Sequence, residues 1–258
     1  MVKKILWIGT SWKMNKVRAE AKSFANALKA SPFANTTMTQ PFVIPPFPYI
    51  AEVADILKDT RVKIGAQNMH WEEQGPWTGE VSATMIKDCG ATMVELGHSE
   101  RRTFFNETDE TVALKVKAAL RHGLLALVCI GDTKAEYDAR RTAEVLEKQT
   151  RAALSHVGKV AFGNVIFAYE PVWSIGEGGT PASPDFANGQ HKRIKAVIAV
   201  AAGTELPVLY GGSVNPQNCC DLARQSHIDG LFIGRSAWNA AGFLGIIEAV
   251  TSALGGES

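Results

Sequence analysis

The fold is decided by the stretch VIFAYEP, residues 165–171, in which five apolar residues run directly into Glu170 and Pro171. A short apolar run that contains β-branched residues and ends at a turn-forming residue is typical of a buried strand in a parallel sheet. We therefore predict a strand here, with Glu170 at its carboxyl end.

Seven further apolar runs alternate with longer helical patterns. The eight predicted strands are residues 5–9, 42–44, 62–65, 92–96, 124–130, 165–169, 208–210 and 230–233, and the main predicted helices are residues 17–29, 49–57, 111–121, 134–157, 186–201 and 237–253. Eight alternating units in 258 residues predict an α/β fold, a closed (β/α)8 barrel that forms one domain over residues 1–258. An open doubly wound sheet is the alternative, but no predicted strand runs into a G-x-G-x-x-G turn.

Composition and local spacing exclude several classes of protein. A net charge of +1 gives no reason to expect nucleic acid or an anionic membrane as a partner. No apolar run reaches the roughly 18 residues of a membrane span, and the start lacks a secretory signal, so we expect a cytoplasmic protein. The four cysteines lack zinc-site spacing, so we expect neither a metal nor a disulfide framework, and we assign Cys129 to the core.

Polar residues and glycines follow the predicted strands at their carboxyl ends, where barrels of this kind form their active sites. These segments are SWKMN (11–15), GHSERR (97–102), EPVWSIG (170–176), GGS (211–213) and GRS (234–236). Because the strands are parallel, we expect these five segments to meet at one mouth of the barrel.

Three of these residues are candidates for proton-transfer chemistry. Glu170, at the edge of an apolar strand, suits a general base that removes a proton from carbon, although it could instead be a surface glutamate or a salt-bridge partner. His98 can polarise a carbonyl and move a proton between neighbouring oxygens, although a lone histidine is more often structural. Lys13 can stabilise developing negative charge, with Glu100 as the partner that holds it; otherwise it is a solvated surface charge.

The glycine-rich segments predict a phosphate site. The segment SIGEGGT, residues 174–180, follows Glu170 directly, and its backbone N–H groups, such as that of Gly176, can bind an anion. Residues 171–173 would then form one hinge of a closing lid, the alternative being an ordinary flexible loop. Loops after strands 7 and 8 commonly bind phosphate in this fold, and here they supply Gly212, Ser213, Gly234 and Arg235. We therefore expect a small phosphorylated substrate.

With the motifs WKMN (12–15), GAQN (65–68), GHSERR (97–102), CIG (129–131), AYEPVW (168–173) and YGGSVN (210–215), the chain resembles the triosephosphate isomerase family over nearly its whole length. The resemblance implies an isomerase without a cofactor. It implies Glu170 as the base, His98 as electrophile and proton shuttle, and Lys13 as the stabiliser of an enediolate.

The same resemblance implies where the substrate and a partner bind. Gly176, Ser213 and Gly234 would bind the phosphate. A homodimer is also implied, in which a loop that contains Gln67 and Thr78 reaches into the neighbouring subunit.

The chain also departs from the family pattern. Ser11 stands where the family normally has asparagine, Arg235 replaces the second of two glycines, and Glu177 and Gly179 stand where threonine and lysine are usual. The smaller Ser11 leaves room beside the reacting carbons, which suggests a substrate with one more hydroxymethyl group than a triose.

The segments FVIPPF (42–47), QNMHW (67–71) and HIDGLFIGRSAWN (227–239) are similar to a branch of the family assigned to erythritol breakdown. In that branch L-erythrulose 1-phosphate is isomerised to D-erythrulose 4-phosphate. The substrate is therefore expected to be a phosphorylated three- or four-carbon sugar.

Other functions remain open at this point. The chain can be an ordinary triosephosphate isomerase that tolerates Ser11 and Arg235. A sugar-phosphate-binding barrel without catalysis would not need Glu170, His98 and Lys13 together. A metal-dependent aldolase is disfavoured because we expect no cluster of histidine and carboxylate ligands at the strand ends. Arg235 either adds charge near the phosphate or, as we favour slightly, turns outward onto an acidic side chain.

Overall fold

Eight parallel strands close into a barrel in the computed structural model, which describes residues 5–175 and 179–255. The strands are β1 Leu6–Ser11, β2 Thr39–Ile44, β3 Lys63–Ala66, β4 Met93–Leu96, β5 Leu125–Ile130, β6 Val165–Tyr169, β7 Val208–Tyr210 and β8 Gly230–Ile233. Each strand pairs with the next, and β8 closes the ring on β1. The predicted fold class and all eight predicted strands are confirmed.

Helices connect the strands and cover the outside of the barrel. In the described ranges they are α1 Arg18–Ala30, α2 Ile50–Leu57, α3 Ala83–Asp88, α4 Ser99–Phe104, α5 Asp109–Arg121, α6 Lys134–Asp138, α7 Thr142–Leu154, α8 Pro184–Ala202, α9 Cys219–Ala223 and α10 Ala240–Gly255. The main apolar core lies between these helices and the outward faces of the strands, and it includes Ile8, Val94 and Val128. Its burial supplies the main driving force for closing the barrel.

A second apolar cluster fills the inside of the barrel. It comprises Phe42, Ile44, Met93, Leu125, Leu127, Cys129, Ile166, Ala168, Leu209 and Phe232. Successive side chains of a strand alternate between its two faces. The next inward positions after Met93 and Ala168 are therefore Glu95 and Glu170, so the layer at the mouth becomes polar.

The structure corrects two predicted helices and moves the start of one strand by three residues. The predicted helix over residues 134–157 is wrong, because Arg140 adopts a left-handed conformation with φ of +57° between α6 and α7. The predicted helix over residues 237–253 begins later, at Ala240, after the short 3-10 helix Arg235–Ala237. Strand β2 begins three residues early, because Pro41 pairs opposite Ile8 without interrupting the ladder.

The cysteine predictions can also be compared with the structure. All four cysteines are free, and Cys129 is fully buried in the barrel, as expected. The sulfur atoms of Cys219 and Cys220 lie 4.0 Å apart and form no disulfide. None of the helices within residues 5–175 and 179–255 combines the length and apolar character needed to cross a membrane.

Candidate active site

A buried glutamate and a buried histidine meet at the carboxyl end of the barrel. Glu170 follows β6 and His98 follows β4, and Glu170 Oε1 lies 3.3 Å from His98 Nε2. The backbone N–H of Glu100 donates to His98 Nδ1 at 3.1 Å. Because Nδ1 accepts that bond, a neutral ring carries its proton on Nε2. The imidazole therefore presents an N–H group beside the carboxylate of Glu170.

Two glycines make this approach possible. Gly97 has φ of +73°, a left-handed conformation that turns the chain from β4 into α4 and places His98 at the helix start. Its carbonyl accepts a hydrogen bond from Arg102 Nε at 2.8 Å, which braces the turn. At Gly211 a Cβ would lie 2.9 Å from Cγ of Glu170, so a side chain there would displace the carboxylate.

Lys13 is held rigidly beside this pair. Its backbone is left-handed, with φ of +53°, which is uncommon for a residue with a side chain. Its Nζ lies 2.7 Å from Glu100 Oε1. Gln67 Nε2 donates to the carbonyl of Lys13 at 2.9 Å and to that of Ile44 at 3.2 Å. Gln67, expected in a loop that reaches a partner, thus turns its side chain inward and supports the Lys13 backbone.

The charge of Lys13 is stabilised by its surroundings. Burial lowers the pKa of Lys13, but the hydrogen bond and charge of Glu100 and the charge of Glu170 outweigh it. The pKa therefore lies above its ordinary value of 10.5, and the side chain is a cation at all physiological pH values.

The site consists of adjoining cavities. The central one, about 30 Å³, is lined by Ser11, Lys13, His98, Glu170 and Gly234, among others. It continues into a cavity of about 270 Å³ at the loops after β7 and β8. A third cavity, about 210 Å³, shares Ser11, Lys13 and His98 with the central one on another side.

Most residues of the predicted phosphate site come together in the 270 Å³ cavity. Its lining includes Ser213, Gly234 and Arg235, and Arg235 is exposed at the rim. Gly212 is buried next to them, and a Cβ there would lie 2.3 Å from the Tyr210 hydroxyl. The predicted lid residues Gly176 and Glu177 lie outside the described residues.

A buried aspartate that sequence reasoning missed holds the segment after Glu170. Asp132, which is fully buried, accepts hydrogen bonds from Tyr169 Oη at 3.0 Å and from Trp173 Nε1 at 3.3 Å. The Thr142 hydroxyl donates to the same carboxylate at 2.7 Å. Its only signal in the sequence is a charged residue two positions after a strand end. Asp132 thus anchors the predicted hinge over residues 171–173.

Glu95 is a second buried carboxylate that sequence reasoning missed. It is 2% exposed, and its Oε1 lies 4.0 Å from His98 Nε2. Glu95, His98 and Glu170 each place a possible ligand atom within 4.8 Å of the others. The expectation that no histidine–carboxylate cluster gathers at the strand ends is therefore wrong. Carboxylate and imidazole donors suit several divalent cations, so the cluster could chemically hold a metal ion.

Glu95 should make the stability of the protein depend on pH. Burial and the charge of Glu170 raise its pKa from 4.5 to about 7, against the opposing effects of His98, Ser11 and Lys13. Between these pH values the folded chain binds more protons than the unfolded chain, so stability falls as pH rises. We expect the free energy of unfolding to decrease by up to about 3 kcal/mol across this window, relative to Glu95→Gln. Urea denaturation of both proteins at pH 5 and 8 measures this difference, and parallel changes would contradict the expectation.

Comparisons with known proteins agree with this geometry. The family model described as triosephosphate isomerase matches residues 6–250. A protein of Brucella abortus biovar 1 (strain 9-941), named L-erythrulose-1-phosphate isomerase, is 56% identical over 242 residues, which are 93% of this chain and 94% of that protein.

Two rhizobial proteins carry the same name. That of Rhizobium rhizogenes (strain K84 / ATCC BAA-868) is 53% identical over 253 residues, which are 98% of this chain and 97% of the relative. That of Rhizobium meliloti (strain 1021) is 52% identical over 255 residues, which are 98% of this chain and 100% of the relative. The similarity thus extends over nearly the full length of each pair of proteins.

Proposed function

Because the chain belongs to the triosephosphate isomerase family, we propose that it interconverts L-erythrulose 1-phosphate and D-erythrulose 4-phosphate. The observation that carries the proposal is the buried pair of Glu170 and His98, 3.3 Å apart, beside the cation of Lys13. The name shared by relatives at 52–56% identity supports the four-carbon substrate. Phosphorylated sugars are charged and retained inside cells, so we place the reaction in the cytoplasm.

The reaction needs only two proton movements. In L-erythrulose 1-phosphate C2 is a ketone and C3 carries a hydroxyl group and a hydrogen. Glu170 removes the C3 proton to give a cis-enediol and returns it to C2, while Nε2 of His98 moves a proton between O3 and O2. The carbonyl is then on C3, which is D-erythrulose 4-phosphate, and no external oxidant or reductant is consumed.

The remaining charges stabilise the intermediate and the phosphate. Lys13 places its ammonium group against the enediolate oxygens, and Glu100 keeps that group in position through its 2.7 Å contact. The phosphate would occupy the cavity lined by Ser213, Gly234 and Arg235. The positive charge of Arg235 at the rim would then attract the phosphate dianion.

A triosephosphate isomerase is the second candidate. The family model carries that description, and the same three side chains can enolise dihydroxyacetone phosphate. The two functions differ only in whether the site accommodates a hydroxymethyl group on the reacting carbon. Ser11, 4% exposed at the central cavity, is the side chain whose size bears on that question.

Ser11→Asn is expected to shift selectivity toward the triose. The larger amide would occupy space beside the reacting carbons, where the additional carbon of the tetrulose has to fit. We expect kcat/KM for L-erythrulose 1-phosphate to fall about 10–200-fold, the usual effect when a pocket no longer accommodates one carbon of the substrate. Steady-state kinetics on both sugars measures it, with Ser11→Ala as a control that adds no volume. Unchanged selectivity would contradict the argument from size.

We also propose a homodimer built on the loop that contains Thr78. Thr78 is exposed, and the loop is stiffened by His70, whose ring lies 4.1 Å from that of Trp71 and 4.4 Å from that of Trp77. Next to the site, Met14 is 97% exposed, which leaves apolar surface available for a second copy. Sedimentation velocity of the purified protein tests this, and a monomer at micromolar concentration would contradict it.

The function is tested by turnover of L-erythrulose 1-phosphate beside glyceraldehyde 3-phosphate. Preference for the tetrulose would support the proposal, whereas preference for the triose would establish the second candidate. Turnover of neither would indicate a binding protein. The same assay is run with a chelator: we expect no change, and loss that a divalent cation restores would mean that Glu95, His98 and Glu170 hold a metal.

A further inference from the structure

Glu95 is a buried carboxylate in the reaction chamber that the proton transfers described above do not use. It lies on the inward face of β4 at 2% exposure, and its Oε2 has no hydrogen-bond partner among the described residues. A buried oxygen without a partner is costly, and natural proteins usually satisfy such atoms. A polar group of a bound ligand would therefore supply the hydrogen-bond partner that Oε2 of Glu95 lacks.

The electrostatic surroundings of Glu95 point to a polar, uncharged ligand group. The Cys129 thiol faces it from β5 and Ser11 from the end of β1, while Glu170, His98 and Lys13 face it from the segments that follow β6, β4 and β1. A hydroxyl group suits this position because it is donor and acceptor at once, so it can pair with a carboxylate or with a carboxylic acid.

The order of the cavities shows which end of the substrate faces Glu95. The phosphate cavity contains Ser213 and shares Lys13 and Gly234 with the central cavity, where the reacting carbons must lie between Glu170 and His98. The third cavity shares Ser11, Lys13 and His98 with the central one and includes Glu95 in its lining. A sugar anchored by its phosphate at one end therefore extends its other end toward Ser11 and Glu95.

We infer that Glu95 is a specificity-determining residue that binds the terminal hydroxymethyl group of the four-carbon substrate. This inference rests on the proposed function and deepens it. In the tetrulose phosphate, the group on the reacting carbon that points away from the phosphate is CH2OH, and its hydroxyl pairs with the free oxygen of Glu95. A triose phosphate lacks that group and leaves Oε2 of Glu95 without a partner. A site built for a hydroxyl group discriminates strongly against an analogue without it.

Two substitutions separate this role from a structural one. Glu95→Gln keeps hydrogen-bonding atoms at the site, and Glu95→Leu removes them with little change in volume. We expect Glu95→Leu to lower kcat/KM for L-erythrulose 1-phosphate by at least about 100-fold while turnover of glyceraldehyde 3-phosphate is kept or increased. Glu95→Gln should keep most of the preference for the tetrulose.

Control variants distinguish a specific role of Glu95 from a general effect on folding or catalysis. Asp229→Asn removes another buried carboxylate, one that precedes β8 and bonds Lys195, and should leave the ratio of the two kcat/KM values unchanged. Equal losses on both sugars in Glu95→Leu would overturn the inference and indicate that Glu95 acts on His98 or on the fold. If Glu95→Leu does not fold, Glu95→Asn, whose side chain is one carbon shorter, takes its place. We expect this variant to lose the preference for the tetrulose. An unchanged ratio of the two kcat/KM values would overturn the inference. A wild-type protein that ignores the tetrulose would refute the proposed function itself.

Discussion

Replacing Glu170 with glutamine is expected to lower kcat by about 10²–10⁴-fold on the preferred sugar, the usual contribution of a positioned general base. The amide keeps the shape of the side chain but cannot take a proton from carbon. Steady-state turnover of L-erythrulose 1-phosphate measures the effect. The matched control is Glu144→Gln, which alters an exposed glutamate on α7 that bonds Arg141 and should leave turnover unchanged.

The same variant distinguishes a catalytic defect from a folding defect. Glu170 is 3% exposed and its Oε2 has no hydrogen-bond partner among the described residues. A neutral amide at this buried position is less costly to desolvate than a carboxylate. We therefore expect the Tm of Glu170→Gln to stay the same or rise, although its kcat is strongly reduced. Substantial activity in Glu170→Gln would mean that another group removes the proton.

Lys13→Met is expected to lower kcat/KM by about 10²–10³-fold, the effect of losing one preorganised group that stabilises developing charge. Methionine is similar in length and apolar, so it removes the ammonium group while filling much the same space. The loss should appear in kcat as well as KM, because negative charge on the enediolate develops only as the reaction proceeds.

A surface lysine provides the control for Lys13. Lys58 follows α2 and pairs with Asp55 at 3.2 Å on the exposed surface, so Lys58→Met changes the net charge equally without touching the site. A change confined to KM in Lys13→Met would contradict the stabilising role and leave Lys13 as a residue that only attracts the phosphate.

Much of the fold was readable in the sequence because strand signals are local. The run that ends at Glu170 and the run over residues 124–130 are apolar almost throughout, and burial on both faces of a barrel strand requires that pattern. The interruption at Arg140 was not readable. Its left-handed φ of +57° separates two helices between which the sequence has neither glycine nor proline, and Thr142 is held by Asp132, ten residues earlier.

Some residues of the candidate site could be found from the sequence, whereas others could not. Glu170, His98 and Lys13 all follow the carboxyl ends of predicted strands, where polar residues signal a site, so sequence reasoning could select them. Glu95 could not be selected, because it lies within the apolar run over residues 92–96. Only the register of β4 decides that Glu95 faces inward while Val94 joins the outer core.

The sequence by itself determined the eight alternating units, the strand ends that carry polar side chains and the family to which these motifs belong. All of these depend on residue type and spacing along the chain. Only the tertiary structure decided that Gln67 supports Lys13, that Asp132 anchors the segment after Glu170 and that Glu95 lies 4.0 Å from His98. The contacts of Gln67 and Asp132 join residues from different strands and loops, so closure of the barrel, and no local pattern, sets their distances. The inward position of Glu95 follows from the register of β4.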